Sequence, residues 1–327
     1  MNKKKLLISG GAVALLLLIV LAGLPLFSRL FYGRSQAATL FAWQLKKEAY
    51  STEEAFDVYL AEKKLENRKP HTLPLEIYLP VSCRPIVCAD QLGYELNRRA
   101  EEKTIFYFPG GSYIDQPREV HWQFLGMLAE RAGVRIVVPL YPKLPENDAS
   151  ASYEAVTDFY LSYLEEQEPE NVIFMGDSAG GCMALSLAMQ LRDAGLPGPD
   201  KLILICPWPD ITLTNPDIPS YERRDPALDS EQLRHLGALW AGDMDPTDPI
   251  VSPLYGSFED LGSIILITGT GELLYPDIAA LDEILTRQGA DHELAVWKGM
   301  FHVWPLYEAY SIPEADEAVE YILEQLD

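Results

Sequence analysis

"NVIFMGDSAGGCMALSL" (Asn171–Leu187) places a serine between two glycines, where an apolar run ends and small residues at helical spacing begin. The pattern predicts a strand that turns directly into a helix, with Ser178 at the turn. Because the strand and the helix pack closely at so sharp a turn, the positions of Gly176 and Gly180 must be occupied by glycine. The turn exposes the Ser178 hydroxyl above the sheet. The same spacing arises by chance in roughly one chain in ten of this length, so the rest of the sequence must decide whether Ser178 acts.

Short apolar runs alternate with amphipathic helical patterns over most of the chain. Strands are predicted at 103–108, 134–141, 171–176, 201–208, 263–269 and 292–299, and helices at 119–133, 151–166, 178–194, 230–242, 276–290 and 313–326. This alternation predicts an α/β fold with a mostly parallel central sheet flanked by helices. In such open sheets, sites form beyond the carboxyl ends of the strands, which is where Ser178 lies.

A serine hydroxyl is a weak nucleophile, which needs a base to take its proton and a carboxylate to orient that base. Among five histidines, His302 follows the last predicted strand, and that position suits a base. The others lie before the sheet, on helices or at a strand start: His71, His121, His235 and His292. For the carboxylate we favour Glu272, three residues after Gly269. Asp277 is the alternative, although the first turn of a helix favours a carboxylate for dipole reasons alone.

The turn after the 103–108 strand supplies candidate donors for an oxyanion. Gly110, Gly111 and Ser112 follow that strand directly, and glycines let the backbone approach a substrate closely. The N–H of Ala179, which follows the nucleophile, adds a further donor. We therefore predict an oxyanion hole formed by these four residues.

These motifs together resemble the hormone-sensitive-lipase-like esterases of the α/β-hydrolase fold, over roughly residues 104–326. The matching segments are "GDSAGG" (176–181), "PLYPKLPE" (139–146), "CPWPDIT" (206–212), "DPIVSPLY" (248–255) and "KGMFHVW" (298–304). The order Ser178, Glu272, His302 is the order that α/β-hydrolases use. The family's His-Gly-Gly-Gly is replaced by Pro109-Gly110-Gly111-Ser112, and its usual acid, Asp, by Glu272. By analogy with the family, Gly111 and Ser112 are the favoured donors among these residues, with Gly110 supporting the turn.

The resemblance implies a serine carboxylic ester hydrolase acting on short to medium acyl esters, with a small-molecule ester substrate and with neither a metal nor an organic cofactor. Alternatives are an extracytoplasmic glycan deacetylase, a peptidase on the same three residues, and a catalytically inactive binding protein. The resemblance also implies a helical cap from residues 36–75 and an insertion at about 212–242, on a catalytic domain spanning 76–327. Tyr113, Trp208 and Trp304 are assigned either to the substrate pocket or to the core.

The first 35 residues differ from the rest of the chain. Leu6–Phe27 is uncharged and long enough to span a bilayer as one helix, and three lysines precede it. We expect a single-pass membrane anchor with the catalytic domain outside the cytoplasm. The alternatives are a cleaved signal peptide, with Ser35-Gln36-Ala37 as the cleavage site and a secreted product, and a buried helix.

Charge and cysteine content restrict the partners. Residues 36–327 carry 21 basic and 49 acidic residues, a net charge of −28, which disfavours binding to nucleic acid. Cys83 and Cys88 can close a small disulfide loop if the domain lies outside the cell, whereas Cys182 and Cys206 have the pattern of buried apolar residues. The sequence does not indicate an oligomeric state.

Overall fold

The computed structural model describes residues 23–45, 47, 50, 52–74, 77–100, 102–167, 169 and 171–326. One eight-stranded sheet organises them. Its strands are β1 (Cys83–Cys88), β2 (Gln91–Leu96), β3 (Thr104–Phe108), β4 (Arg135–Pro139), β5 (Val172–Asp177), β6 (Lys201–Ile205), β7 (Ser263–Gly269) and β8 (His292–Trp297). The α-helices are α1 (Gln36–Ala42), α2 (Glu53–Asn67), α3 (Glu119–Ala132), α4 (Ala149–Gln167), α5 (Ala179–Asp193), α6 (Ile218–Glu222), α7 (Ser230–Ala241), α8 (Tyr275–Gln288) and α9 (Pro313–Leu326).

The strand order is β1-β2-β4-β3-β5-β6-β7-β8. Strands β3 to β8 pair in parallel, and antiparallel pairing is confined to one edge of the sheet, where β1 pairs with β2 and β2 pairs with β4. The predicted α/β-hydrolase fold with a mostly parallel sheet is therefore confirmed. The hairpin itself was not expected, because its first strand, "CRPIVC", contains a proline and lies largely exposed at the edge of the sheet.

Helices cover both faces of the sheet and bury two apolar layers. Along β3, Ile105 and Tyr107 pack into one layer and Phe106 and Phe108 into the other, as the two-residue period of a strand dictates. Helices α3 and α9 contribute to the first layer, and α4, α5 and α8 to the second. Since the central strands are buried on both faces, their carboxyl ends are held rigidly, and the loops that follow them build the site.

The two segments predicted to form a cap are largely helical. Residues 36–75 contain α1 and α2, and the insertion at about 212–242 contains α6 and α7. Both lie on the side of the carboxyl ends of the parallel strands, where residues from each contribute to one cavity. The domain boundaries themselves stay predictions.

The predicted membrane span Leu6–Phe27 lies mostly outside the described residues, which begin at Gly23. Within the described ranges, no helix combines the length and apolar character needed to cross a membrane.

Cys83 and Cys88 stand at opposite ends of β1. An extended strand rises about 3.3 Å per residue, which separates their Cα atoms by about 16 Å, whereas a disulfide needs less than about 7 Å. Both thiols are free. The disulfide loop considered from the sequence is therefore wrong for this structure, because the pair lies within a strand and not around a turn.

Candidate active site

Ser178 lies at the sharp turn between β5 and α5, as the sequence predicts. Its backbone has φ 53° and ψ −124°, a strained conformation of the kind that concentrates at functional sites. A Cβ on Gly180 would meet the Phe108 carbonyl oxygen at 1.9 Å, and one on Gly176 would meet the Gly180 carbonyl oxygen at 2.4 Å. The two glycines are thus required by close backbone approach, and they leave Ser178 at the surface of a cavity.

His302 and Glu272 form a buried pair beyond the ends of β8 and β7. The Nδ1 of His302 lies 2.6 Å from Oε2 of Glu272. The other oxygen of Glu272 accepts hydrogen bonds from the Thr268 hydroxyl at 2.6 Å and from the Gly269 N–H at 3.2 Å. With Nδ1–H donating to Glu272, the Nε2 of His302 is the acceptor nitrogen, and His302 lines the same cavity as Ser178.

The charge around His302 favours its protonated form. Burial by itself would lower the pKa of His302, but the hydrogen bond and negative charge of Glu272 outweigh it, and the pKa is raised above its ordinary value. The charges of Asp225 and Asp177 act in the same direction. A base in this setting accepts a proton readily and holds the resulting positive charge, as general-base chemistry requires.

Asp277, the alternative acid, lies in the first turn of α8. Burial, and then the charge of Asp210, raises the pKa of Asp277 to about 7. The carboxylate that bonds His302 is that of Glu272, so the structure distinguishes the two candidates in favour of Glu272.

The turn after β3 brings Gly111 and Ser112 to the cavity wall. Both have positive φ, 118° and 51°, and the cavity that they line is also lined by Ser178. Ala179 begins α5 directly after Ser178, so its N–H is one of the unpaired donors at a helix N-terminus. In contrast, the Gly110 N–H donates to Oδ1 of Asp177 at 2.9 Å. Gly110 therefore braces the turn, which is the role that the family analogy implies for it, and its inclusion among the oxyanion donors was wrong in this structure.

Sequence reasoning missed the network around Asp177, the residue before the nucleophile. Its buried carboxylate accepts from the Tyr107 hydroxyl at 2.6 Å as well as from Gly110. His121 accepts the Arg118 N–H through Nδ1, which leaves its Nε2 to face Asp177 at 3.5 Å. The Tyr141 hydroxyl donates to the Pro109 carbonyl at 2.9 Å. These contacts hold the turn in which proline replaces the histidine of the related motif.

Asp225, in the insertion between β6 and β7, was also missed. One of its oxygens accepts from the N–H groups of Ala227 and Leu228, and the other accepts from the Leu273 N–H at 2.7 Å. It thereby ties the cap insertion to the loop that carries Glu272. Its only sequence signal was an acidic residue before a proline in a long connection, which does not identify a partner.

The cavity that Ser178 and His302 share has a volume of about 150 Å³. Leu45 and Tyr59 line it from the N-terminal segments, and Leu228 and Leu233 line it from the insertion. Tyr113, Trp208 and Trp304 are buried and are not among its lining residues. Tyr113 stacks on Trp240 at 3.9 Å between ring centroids. Of the two roles considered for these three aromatic residues, the core role is the one the structure supports.

The site also contains a set of potential metal donors. Cys206 Sγ, an oxygen of Glu272 and a ring nitrogen of His302 lie within 4.8 Å of one another. However, Glu272 and His302 already bond each other, and Cys206 accepts a hydrogen bond from the Val303 N–H. Burial, and then the charge of Glu272, raises the pKa of Cys206 well above its usual value, so the thiol stays protonated and is a poor ligand. The cofactor-free site stays a prediction.

Comparison with known proteins agrees with this geometry. The sequence profile of the α/β-hydrolase fold matches residues 105–306. An acetyl-hydrolase of Streptomyces hygroscopicus is 30% identical over 223 residues, which are 68% of this chain and 74% of that protein. An esterase of Acinetobacter venetianus is 28% identical over 247 residues, covering 75% of this chain and 81% of that protein.

Solved structures give the same result. A crystal structure from Staphylococcus aureus, provisionally described as an esterase, superposes with a TM-score of 0.83 at 27% identity and covers 89% of this chain and 98% of that one. The resemblance to hormone-sensitive-lipase-like esterases is therefore confirmed. With strand order, serine turn and relatives in agreement, the chain belongs to the α/β-hydrolase family, in the branch of carboxylic ester hydrolases.

Proposed function

We propose that this protein hydrolyses small carboxylic esters through Ser178, His302 and Glu272. The observation that carries the proposal is the 2.6 Å hydrogen bond between His302 and Glu272 beside the cavity that displays Ser178. A nucleophile, a base and an orienting carboxylate beyond the ends of parallel strands are the groups that a serine hydrolase of this fold uses, which supports the proposal.

Each residue has a defined step. The Ser178 hydroxyl attacks the ester carbonyl while Nε2 of His302 takes its proton, and Glu272 stabilises the imidazolium that forms. The N–H groups of Gly111, Ser112 and Ala179 hold the oxyanion, each such donor typically contributing ~3 kcal/mol in the transition state. His302 then gives its proton to the leaving alcohol. A water molecule repeats the sequence on the acyl-enzyme and releases the carboxylic acid.

The cavity size favours a short acyl group. A volume of about 150 Å³ equals the space of about five water molecules. An acetyl or butyryl group fits within this volume beside Ser178, whereas a sixteen-carbon chain would extend beyond it. The acetyl-hydrolase among the relatives supports the same preference, and we propose acetyl esters as the best substrates.

We also propose that the protein is anchored in the cell membrane by Leu6–Phe27, with the catalytic domain outside the cytoplasm. The support is the uncharged 22-residue run behind three lysines. Protease accessibility of the catalytic domain on intact cells, compared with lysed cells, tests this placement.

The activity is tested with p-nitrophenyl acetate, butyrate, octanoate and palmitate, using the full-length chain beside Ser178→Ala. We expect the acetate and butyrate esters to be cleaved fastest. The variant is expected to lose at least about 10³-fold in kcat, since the remaining groups keep only a small part of the rate enhancement.

Labelling by a fluorophosphonate separates the alternatives. A wild-type chain that neither labels nor cleaves any ester would indicate an inactive binding protein. A chain that labels at Ser178 but leaves all four esters intact would contradict ester hydrolysis and favour a peptidase.

A further inference from the structure

The segment that follows the apolar run packs against the loop that carries His302. We call residues Tyr32–Ser35 the N-terminal strap and Lys298–Val303 the histidine loop. A Cβ on Gly299 would lie 1.8 Å from the Tyr32 carbonyl oxygen, and one on Gly33 would lie 2.8 Å from Cε of Lys298. Both glycines have positive φ, 73° for Gly299 and 74° for Gly33. The backbone of Gly299 therefore lies against the backbone of Tyr32, at a separation that a Cβ atom on Gly299 would prevent.

Arg34 is the main side chain at this contact. It is 6% exposed, although it lies only a few residues beyond the apolar run. Its Nη1 donates to the Gly299 carbonyl at 2.9 Å, and its Nε donates to the Thr39 hydroxyl at 3.3 Å. The guanidinium carbon lies 4.9 Å from the ring centre of Tyr32 and 5.7 Å from that of Phe301, within the range of cation–π attraction.

Other contacts hold the strap and the loop in place. The Ser35 N–H and hydroxyl both donate to Glu314 of α9. The Gly299 N–H donates to the Thr270 hydroxyl at 2.8 Å, next to the Glu272 loop. Phe41 of α1 stacks on Phe301 at 5.7 Å between centroids. Gly299 is thus held on both sides, by Arg34 at its carbonyl and by Thr270 at its N–H, three residues before His302.

We propose that Arg34 is a positioning residue for His302. It holds the histidine loop so that Nδ1 stays aligned with Glu272 while His302 lines the cavity that it shares with Ser178. Arg34 does not line the cavity, so it does not touch substrate and acts only through the loop. The inference rests on the proposed function for the role of His302 as base, while the contact itself is independent of any substrate.

The expected effect follows from geometry. Small displacements of a catalytic group cost up to about 10²-fold in rate, and loss of Arg34 frees one side of a loop that remains tethered on the other. We therefore expect Arg34→Ala to lower kcat by about 10- to 100-fold with KM changed less than about twofold, since the cavity walls are untouched.

The test uses the full-length chain with Arg34→Ala, Arg34→Lys and the control Arg29→Ala, an exposed arginine that precedes the N-terminal strap. One readout is kcat and KM for p-nitrophenyl acetate, normalised to the fraction of chain that labels with fluorophosphonate. The other is the strongly downfield proton resonance expected for the His302–Glu272 hydrogen bond, identified by its absence in His302→Ala. A role confined to stability would not move this resonance in a folded variant.

We expect the resonance to be broadened or lost in Arg34→Ala, retained in Arg29→Ala and intermediate in Arg34→Lys, which keeps the charge but not the planar pair of donors. A folded Arg34→Ala chain with wild-type kcat and an unchanged resonance would overturn the proposal. If Arg34→Ala does not fold, an Arg34→Lys chain with wild-type values overturns it instead. If the wild type cleaves no ester, the proposed function fails, and the resonance alone still decides the role of Arg34.

Discussion

The serine turn and the histidine loop reach the same cavity by different means. The serine turn is shaped by residues of one short stretch, with Gly176, Ser178 and Gly180 packed against the neighbouring strand β3. The histidine loop is held by groups from remote parts of the chain, among them Arg34, Thr270 and Glu272. The first can be identified from a motif, whereas the second is visible only once the chain is folded.

This difference predicts two kinds of sensitivity. Damage to the serine turn should be structural and severe, because backbone atoms there have no room to move. Damage to the histidine loop should reduce activity more than stability, because several independent contacts share its support.

The largest effect is expected for Gly180→Ala. The new Cβ would lie 1.9 Å from the Phe108 carbonyl oxygen, a backbone atom of β3. The cost should exceed ~3 kcal/mol, the upper end of ordinary overpacking, and activity should be lost. The loss of stability is measured as the change in the free energy of unfolding in urea. Gly198→Ala is the control, since a Cβ there meets nothing within 4 Å. Equal stability of the two variants would show that the turn is not so tightly confined.

Glu272→Gln should reduce kcat by about 10³- to 10⁴-fold and leave the fold intact. Activity requires neutral His302, so it falls as pH decreases through the pKa of that residue. Because the hydrogen bond and charge of Glu272 raise this pKa, the acidic limb of the kcat/KM profile should lie above the ordinary histidine value of about 6.5. In Glu272→Gln, this acidic limb should move to lower pH.

The matched control for Glu272→Gln is Asp277→Asn, at a carboxylate five residues away that does not bond His302. Its kcat should remain within about twofold of wild type, with an unchanged acidic limb. If Asp277→Asn shifted the limb and Glu272→Gln did not, the assignment of the acid would be wrong.

The smallest effect is expected for Ser35→Ala. Ser35 caps α1 by accepting the Ala38 N–H at 3.1 Å, and its hydroxyl donates to Glu314. Loss of such a cap typically costs ~1 kcal/mol of stability. Because Arg34 still holds Gly299, kcat should stay within about twofold. Thr52→Ala, which removes the exposed cap of α2, provides the comparison by thermal unfolding. A large loss of kcat in Ser35→Ala would show that Ser35, and not Arg34, positions the histidine loop.

Sequence periodicity predicted most of the fold. The predicted strand 263–269 and helix 313–326 have the observed bounds, and the predicted helix 178–194 differs from α5 by one residue at each end. The physical reason is that buried parallel strands are continuous apolar runs and their helices are amphipathic. The β1–β2 hairpin was not predicted, because an edge strand buries few of its side chains and its composition therefore resembles that of a loop.

The site residues that could be predicted from the sequence are those with catalytic side chains directly after a predicted strand. Ser178, Glu272 and His302 each follow a strand, and the structure places them around one cavity or bonds them to a residue that lines it. Gly110, Asp177, Asp225 and Arg34 were assigned wrongly or missed, because their roles depend on partners distant in sequence. The Gly110 N–H, for example, is used by Asp177, 67 residues later, and no local pattern records that pairing.

The contact between Arg34 and Gly299 also sets an order of events during synthesis. The two residues are 265 positions apart, and Ser35 and Glu314 are 279 apart. At about 5–20 residues per second, the ribosome needs about 13–56 s between making the first partner and the second. The nascent chain can therefore form its serine turn before residues 299–314 are made, but it can complete the contacts of the histidine loop only after those residues have emerged.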